Sequence, residues 1–411
     1  MTKLFERFSQ ISDLWLSGDA VGLMVSGGSD SMALMHLVQR RAAERSSPPP
    51  RIVTINHGLR AEAVEECAFV QSSAQALGLN CDILDVGGDI SDGNLQEEAR
   101  NSRYAAVRDW ATQNDIKVVA TGHTMTDQAE TVLMRLARGS GVDGLSAMAS
   151  DRIQHGMRWV RPLLPFSRSE LRDWLTETGA TWVEDPSNED DAFHRIKLRK
   201  AMPMLEELGF SEARLAETAR HMQRTRDALE QAVHQLSLEC AHPTDFGSVK
   251  FDLEVFCLAP VEVQTRLLTK TMSWITGENF KPRYASLRAC LEQVMQGKTS
   301  TLHGVILLPK GDVLHLTREP NAVKTNLLDR LWDNRWELPP EVMDARLLFP
   351  DRGELPEEWA EFGLPRTVWA SLPVDSASGR LLFLPSEDSL SQSGARLVRG
   401  RHSFTTYQTS H

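Results

Sequence analysis

At 411 residues the chain is longer than one hydrophobic core ordinarily organises, so two or three domains are expected. Its 41% hydrophobic and 25% charged residues describe a globular protein. No run of roughly 18 apolar residues and no secretory h-region in "MTKLFERFSQISDLW" argues for a membrane span or a signal, so a cytoplasmic protein is expected, and a net charge of −11 speaks against generic adhesion to nucleic acid.

Short β-rich runs recur about every thirty residues in the first part of the chain: "VGLMV" (21–25), "RIVTI" (51–55), "CDILDV" (81–86) and "KVVAT" (117–121). Helix-like stretches lie between them, at 31–45, 61–77 and 94–113. This alternation predicts parallel strands joined by right-handed helical crossovers, hence an α/β fold with a doubly wound parallel sheet. After "EDPSNEDD" (184–191) the character changes: a long helix rich in Arg and Glu is expected over 210–239, with further helices over 261–276 and 284–295. The segment 301–320 alternates like a hairpin, and beyond Asn326 the chain is rich in Pro and Trp. The expected division is a catalytic domain over 1–210, a mainly helical domain over 211–322 and a small mixed α/β domain over 323–411.

The five cysteines (67, 81, 240, 257 and 290) are widely spaced and form no CxxC pair, which argues against a disulfide framework, a zinc knuckle or an iron–sulfur site. Positive charge is local. Seven Arg (135, 138, 152, 158, 161, 168 and 172) fall between Thr131 and Arg172 against three acids, and between Arg195 and Arg226 eight Lys or Arg face four Glu. A polyanion can dock there despite the net charge.

Between the first strand and its helix lies the hexapeptide "SGGSDS" (26–31). A strand that ends in small residues and feeds a helix leaves several backbone N–H groups at the positive end of the helix dipole, which is an anion site. Gly27 and Gly28 let a phosphate come close, and Ser26, Ser29 and Ser31 add hydroxyl donors. Asp30 is the odd member: a carboxylate beside phosphates calls for a cation between them, which makes it a candidate Mg²⁺ ligand. An ordinary N-cap is the bland alternative. The loop has no GxxxxGK spacing and no GxGxxG; "QGKTS" (296–300) has Glu292 where a Walker loop needs Gly, and reads as a plain loop.

The hexapeptide resembles the pyrophosphate loop of the PP-loop ATP pyrophosphatases, which cleave ATP between its α and β phosphates. Further runs resemble one branch of them: "INHGLRAEA" (55–63), "ATGHTMTDQAETVLMRLARGSGVDGLSAM" (120–148), "RPLLPFSRSEL" (161–171) and "EDPSN" (184–188) are similar to the tRNA(Ile)-lysidine synthetase family, densely over residues 21–206 and thinly beyond. The resemblance implies a chemistry. ATP adenylates C2 of the wobble cytidine in the CAU anticodon of tRNA(Ile), and the ε-amine of free lysine then displaces AMP to form lysidine. ATP and Mg²⁺ are the implied cofactors, that tRNA and free lysine the partners; no membrane is involved, and a homodimer is an open expectation.

His123, Asp127 and Glu130 carry the lysine side of that reading. A helix beginning near Met125 turns all three toward one side, and two carboxylates there suit an ammonium better than a phosphate. A capped helix start with solvated acids, or a metal cluster lacking HExxH spacing, would explain the same residues. The resemblance puts Asp127 and Glu130 at lysine recognition, His123 near the reacting groups, Gly122 at the nucleotide, His57 at the adenine or α-phosphate, and Arg100 toward the reacting nucleotide. On residues alone, a lone His such as His57 is more often structural, and Arg100 reads as part of an exposed helix face. "FHRIKLRK" (193–200) resembles the family's Arg-Asn-x-x-Arg stretch, so Arg195 and Arg199 fall at tRNA-binding positions, with Ile196 where the family has Asn. Arg396, Arg399 and Arg401 form a further basic group with no assigned role. Two rival functions share the loop: another PP-loop tRNA enzyme such as a thiolase, and a non-catalytic ATP-binding module.

Overall fold

The computed structural model describes residues 2–13, 15–16, 20–56, 62–86, 95–154, 156–184, 194–278, 282–325, 327–328, 330–347, 362–377, 382, 396–398 and 404. His57, most of "EDPSN", Arg399 and Arg401 lie outside the described residues, as do the side chains of Arg100, Arg195, Ile196 and Arg396. The chain divides into two compact units, Met1–Arg226 and Asp227–His411.

The first unit opens with α1 (Thr2–Ser12) and then alternates: β1 (Val21–Met24), α2 (Ser29–Glu44), β2 (Arg51–Asn56), α3 (Glu62–Ala76), β3 (Cys81–Asp85), α4 (Leu95–Gln113) and β4 (Val118–Thr121). There follow α5 (Met125–Ala137), α6 (Val142–Leu145), β5 (Asp151–Gln154), β6 (Met157–Val160), α7 (Arg168–Thr178), α8 (His194–Glu207) and α9 (Glu212–Cys240), whose C-terminal part belongs to the second unit. The sheet order is β3-β2-β1-β4-β6-β5, parallel throughout except for the edge pair β5–β6. The "MRWV" strand and its hairpin partner were not visible as strands in the sequence.

Residues alternate between the two faces of the sheet because successive Cβ atoms in a strand point opposite ways. Leu23, Ile52, Val118, Ala120 and Val160 pack with Phe8 of α1, Leu34 and Val38 of α2, Val70 of α3 and Leu171 of α7. Val53, Val119 and Trp159 face the other way, against Val107, Trp110 and Ala111 of α4. Thus α2 and α3 carry the chain outward along one face, and α4 brings it back across the other to place β4 on the far side of β1. The direction of winding reverses between β1 and β4. In such sheets ligands bind outside the carboxyl ends of the strands at that reversal, and both "SGGSDS" and "GHTMTDQAE" leave from it.

In the second unit the strands β7 (Ala241–Pro243), β8 (Val249–Asp252), β9 (Ser300–Leu302), β10 (Val305–Lys310) and β11 (Val313–Arg318) form an antiparallel sheet in the order β7-β8-β11-β10-β9. The helices α10 (Leu253–Leu258), α11 (Val261–Thr276) and α12 (Tyr284–Met295) supply its core, with Phe251, Leu267, Met272, Leu291, Leu307 and Leu316 buried together. The expected hairpin is present as β10 and β11, paired from Val305–Arg318 to Lys310–Val313. A second small core gathers Trp332, Trp336, Val368 and Trp369. Beside it Asp333 takes Arg318 Nη2 on Oδ1 at 3.0 Å and Arg335 Nε on Oδ2 at 2.9 Å, all three side chains buried. Burial pushes the Arg335 guanidinium down to about 10, against the opposing pull of Asp333. Among the described residues no helix is long and apolar enough to cross a membrane.

Candidate active site

The Ser26–Ser31 turn joins β1 to α2, and only one of its glycines needs a left-handed backbone. Gly27 has φ +90°, whereas Gly28, the N-cap of α2, sits at φ −71° and ψ 161°, open to any residue. A backbone angle closed to other residues is therefore present at Gly27 alone. At Gly28 an added Cβ would meet no atom closer than Ser26 Oγ at 4.0 Å, so the missing side chain leaves open space beside the helix start. The amides of Ser29, Asp30 and Ser31 open α2 and have no intrahelical acceptor.

The hydroxyls divide the work. Ser31 Oγ accepts from the Ser26 amide at 3.1 Å and donates to the Gly28 carbonyl at 3.0 Å, so it braces the turn from inside. Val183 pins the turn from outside, donating its amide to the Gly27 carbonyl at 3.0 Å. Ser29 Oγ accepts from Arg172 Nε at 3.2 Å, and Arg172 also reaches Glu184 at 2.9 Å.

Gly122 brings the two halves of the site together. A Cβ on it would lie 2.9 Å from Ser31 Cα and 3.0 Å from the Ser31 nitrogen, so the loop after β4 lies directly against the first turn of α2. One residue on, Thr121 Oγ1 bonds His123 Nδ1 at 2.8 Å and orients the ring. His123 precedes α5 instead of lying on it, because Thr124 is the N-cap. Asp127 completes a capping box: its Oδ2 accepts from the Thr124 amide at 2.8 Å and from Thr124 Oγ1 at 2.9 Å. The cap is real, but the acids are not solvated. Asp127 and Glu130, one turn apart, are both buried.

Each acid meets an arginine that is remote in sequence. Arg168, the first residue of α7, donates Nε to Asp30 Oδ2 at 2.9 Å and reaches Asp127 Oδ1 with Nη2 at 3.5 Å. Arg199 of α8 donates Nε to Glu130 Oε1 at 2.5 Å. Glu130 Oε2 is buried without a hydrogen-bond partner. Burial pushes the carboxyls of both Asp30 and Glu130 above their ordinary range, with Arg168 and Arg199 respectively pulling the other way. Among the described residues no group of three His, Cys, Asp or Glu side chains is placed to hold a metal ion.

Sequence reasoning missed the roles of Arg168 and Arg172. Both stood in plain view, in and just after "RPLLPFSRSEL", but only as part of a charge tally; their i,i+4 spacing on one helix face was the available signal. Burial raises the Cys67 thiol and pushes Cys81 up to about 11, far from the reactive thiolate range.

Residues 2–205 match the PP-loop domain family. A tRNA(Ile)-lysidine synthase of Ruegeria pomeroyi is 38% identical over 396 residues, covering 95% of this chain and 94% of that one. The chain belongs to the tRNA(Ile)-lysidine synthase family. Further tRNA(Ile)-lysidine synthases include that of Anaplasma marginale, 35% identical over 92% of this chain and 87% of its own, and that of Wolbachia pipientis wMel, 34% identical over 89% and 88%. The likeness to tRNA(Ile)-lysidine synthases extends well past the residues that carried the resemblance, through the second unit.

Proposed function

We infer that the protein ligates free lysine to C2 of the wobble cytidine in tRNA(Ile) bearing a CAU anticodon, using ATP and passing through an adenylated tRNA. The observation that carries this reading is the meeting of a phosphate-type turn with a buried pair of carboxylates at one winding reversal, Gly122 packed on Ser31. A nucleotide-sensing module has no use for the second element; a ligase that must hold a cationic nucleophile beside an activated nucleotide does.

The residues divide as follows. The open amides of Ser29, Asp30 and Ser31, with the space left by Gly28, receive the phosphates of ATP, with Ser26, Gly27 and Gly122 shaping the turn and His57 at the nucleotide. The donor chemistry fits Mg²⁺: Asp30 and Asp127 are hard oxygen donors close enough to share one guanidinium, and Mg²⁺ in phosphate sites takes one or two carboxylates. Asp30 is the residue that would hold it, and when bound it neutralises charge on the departing pyrophosphate. Glu130 Oε2, buried and unpartnered, and Asp127 Oδ1 offer the lysine ammonium two acceptors. His123, held through Nδ1, lies between the two halves in sequence. Arg100, Arg195 and Arg199 are the proposed tRNA contacts, with Arg199 also holding Glu130, and the body of the tRNA is gripped by regions 211–322 and 323–411. The enzyme works in the cytoplasm, and a homodimer is the assembly to check by sedimentation equilibrium.

The test is direct. Purified protein with ATP, Mg²⁺, labelled lysine and unmodified tRNA(Ile) bearing CAU is expected to place label in that tRNA and none in initiator tRNA(Met). ATP cleavage with no lysine transferred, or equal labelling of both tRNAs, would overturn the reading.

A further inference from the structure

The phosphate turn contains no lysine or arginine, yet the leaving pyrophosphate needs positive charge beyond backbone amides. Arg168 and Arg172, four residues apart on α7, both reach the turn, one at Asp30 and the other at Ser29. Arg168 is oddly placed. It is the first residue of its helix, where the dipole disfavours a cation, and it stays there because Asp30 and Asp127 bracket it. Its own amide donates to Thr126 Oγ1 at 3.3 Å, which anchors the start of α7 against the start of α5. Asp30 therefore faces two claims, one from this guanidinium and one from the metal of the proposed reaction.

We propose that Arg168 is a resident counter-cation that holds the Asp30 carboxylate in the nucleotide-free enzyme, gives it up to the metal when ATP binds, and turns its guanidinium to the pyrophosphate. The inference rests on the ATP-dependent reading above. Its physical content is competition. While Asp30 is paired with Arg168 the enzyme has little affinity for free divalent ions, so metal enters with the nucleotide; once Asp30 is shared with a metal, Arg168 keeps only the longer contact to Asp127 at 3.5 Å, at a helix end that repels it, and an incoming phosphate offers its guanidinium a second acceptor.

Mn²⁺ serves as the probe, titrated into the full-length protein without tRNA and followed by loss of the free-ion electron paramagnetic resonance signal. Without nucleotide, Arg168→Gln is expected to bind Mn²⁺ about tenfold more tightly than the wild type, the worth of one charge-assisted hydrogen bond removed from the competing side. Arg168→Lys, which keeps a cation there, should stay near the wild type. With product present, Arg168→Gln should need about tenfold more pyrophosphate for the same occupancy. A merely structural role for Arg168 would weaken metal binding, never tighten it. Equal or weaker Mn²⁺ binding by Arg168→Gln, including none measurable, overturns the inference. Asp30→Asn separates the two levels: if it abolishes Mn²⁺ binding while Arg168→Gln changes nothing, only the counter-cation role falls, and if it binds Mn²⁺ like the wild type, the metal role of Asp30 falls as well and takes this inference with it.

Discussion

Arg199 and Glu130 form an ion pair in which the two ends differ in solvent access: the carboxylate is 1% exposed and the guanidinium 28%. One oxygen of Glu130 is spent on Arg199, and the other has no partner. The pair links α5 to α8, and their apolar faces meet beside it through Ala129, Val132 and Met202. A buried acid held by a cation from one side only can accept a second cation from the other.

Removing the cation should cost more than neutralising the acid. Arg199→Met leaves an ionised carboxylate buried and is expected to destabilise the protein by about 2 kcal/mol, below the full cost of breaking a wholly buried pair because water reaches the arginine. Glu130→Gln should cost about 1 kcal/mol. Urea unfolding of the two variants measures the difference, and equal losses would contradict the asymmetry.

The same acid makes a pH signature. Burial lifts the folded-state pKa of Glu130 above its unfolded value, so between the two the folded protein holds a proton that the unfolded chain has released. Its contribution is complete below the ordinary glutamate pKa of about 4.3 and is lost as pH climbs through the raised value. Relative to the wild type, Glu130→Gln should therefore gain stability as pH rises from about 4. Parallel unfolding free energies at every pH would show that Glu130 titrates normally.

Asp127 has two duties that two variants separate. Thr124→Ala removes the cap of α5 and should cost about 1 kcal/mol of stability with lysine saturation unchanged. Asp127→Asn should raise the lysine concentration needed for half-maximal ligation about tenfold while pyrophosphate release continues. Normal lysine saturation in Asp127→Asn would remove this residue from lysine recognition.

Gly28 and Gly122, both against the start of α2, should respond differently to alanine. Gly122→Ala drives a methyl into the Ser31 backbone, which cannot swing aside, and a loss of about 2 kcal/mol is expected together with nucleotide-dependent activity. Gly28→Ala meets open space at an ordinary φ, so stability should change by less than about 0.5 kcal/mol while ATP affinity falls. Thermal unfolding and ATP titration of both proteins decide whether the space at Gly28 is a phosphate's.

In the second unit, Asp333→Ala strands two buried guanidinium groups without their shared acid. The expected loss is about 4 kcal/mol, with Arg335→Met tolerated better because it removes a buried charge instead of orphaning one. Calorimetric unfolding of the two variants tests the order.

Much of the first unit was legible because its parallel strands are buried on both faces and read as short apolar runs between amphipathic stretches. The turn at 26–31 was legible as a strand-to-helix junction because Gly, Ser and Asp mark such junctions. The edge strands β5 and β6 were not: four residues each, with Asp151, Arg152 and Arg158 among them, give no periodic signal. The same holds for β7 and β8, three and four residues long in a domain expected to be mainly helical, whereas β9 falls at the start of the segment read as a hairpin. The pairing of Asp30 with Arg168 joins positions 138 residues apart, and the packing of Gly122 on Ser31 depends on a backbone approach that no local pattern encodes.

The strand register carries a consequence for biosynthesis. Val21 lies beside Val118, and nothing shorter-range substitutes for that neighbour, so the pyrophosphate turn has no partner wall until nearly a hundred further residues have been translated. A ribosome-bound fragment ending before β4 emerges would carry the whole "SGGSDS" motif and still be blind to ATP. Nucleotide recognition is thus expected only after β4 has been made, and refolding of the first unit should be paced by the closing of that one parallel seam.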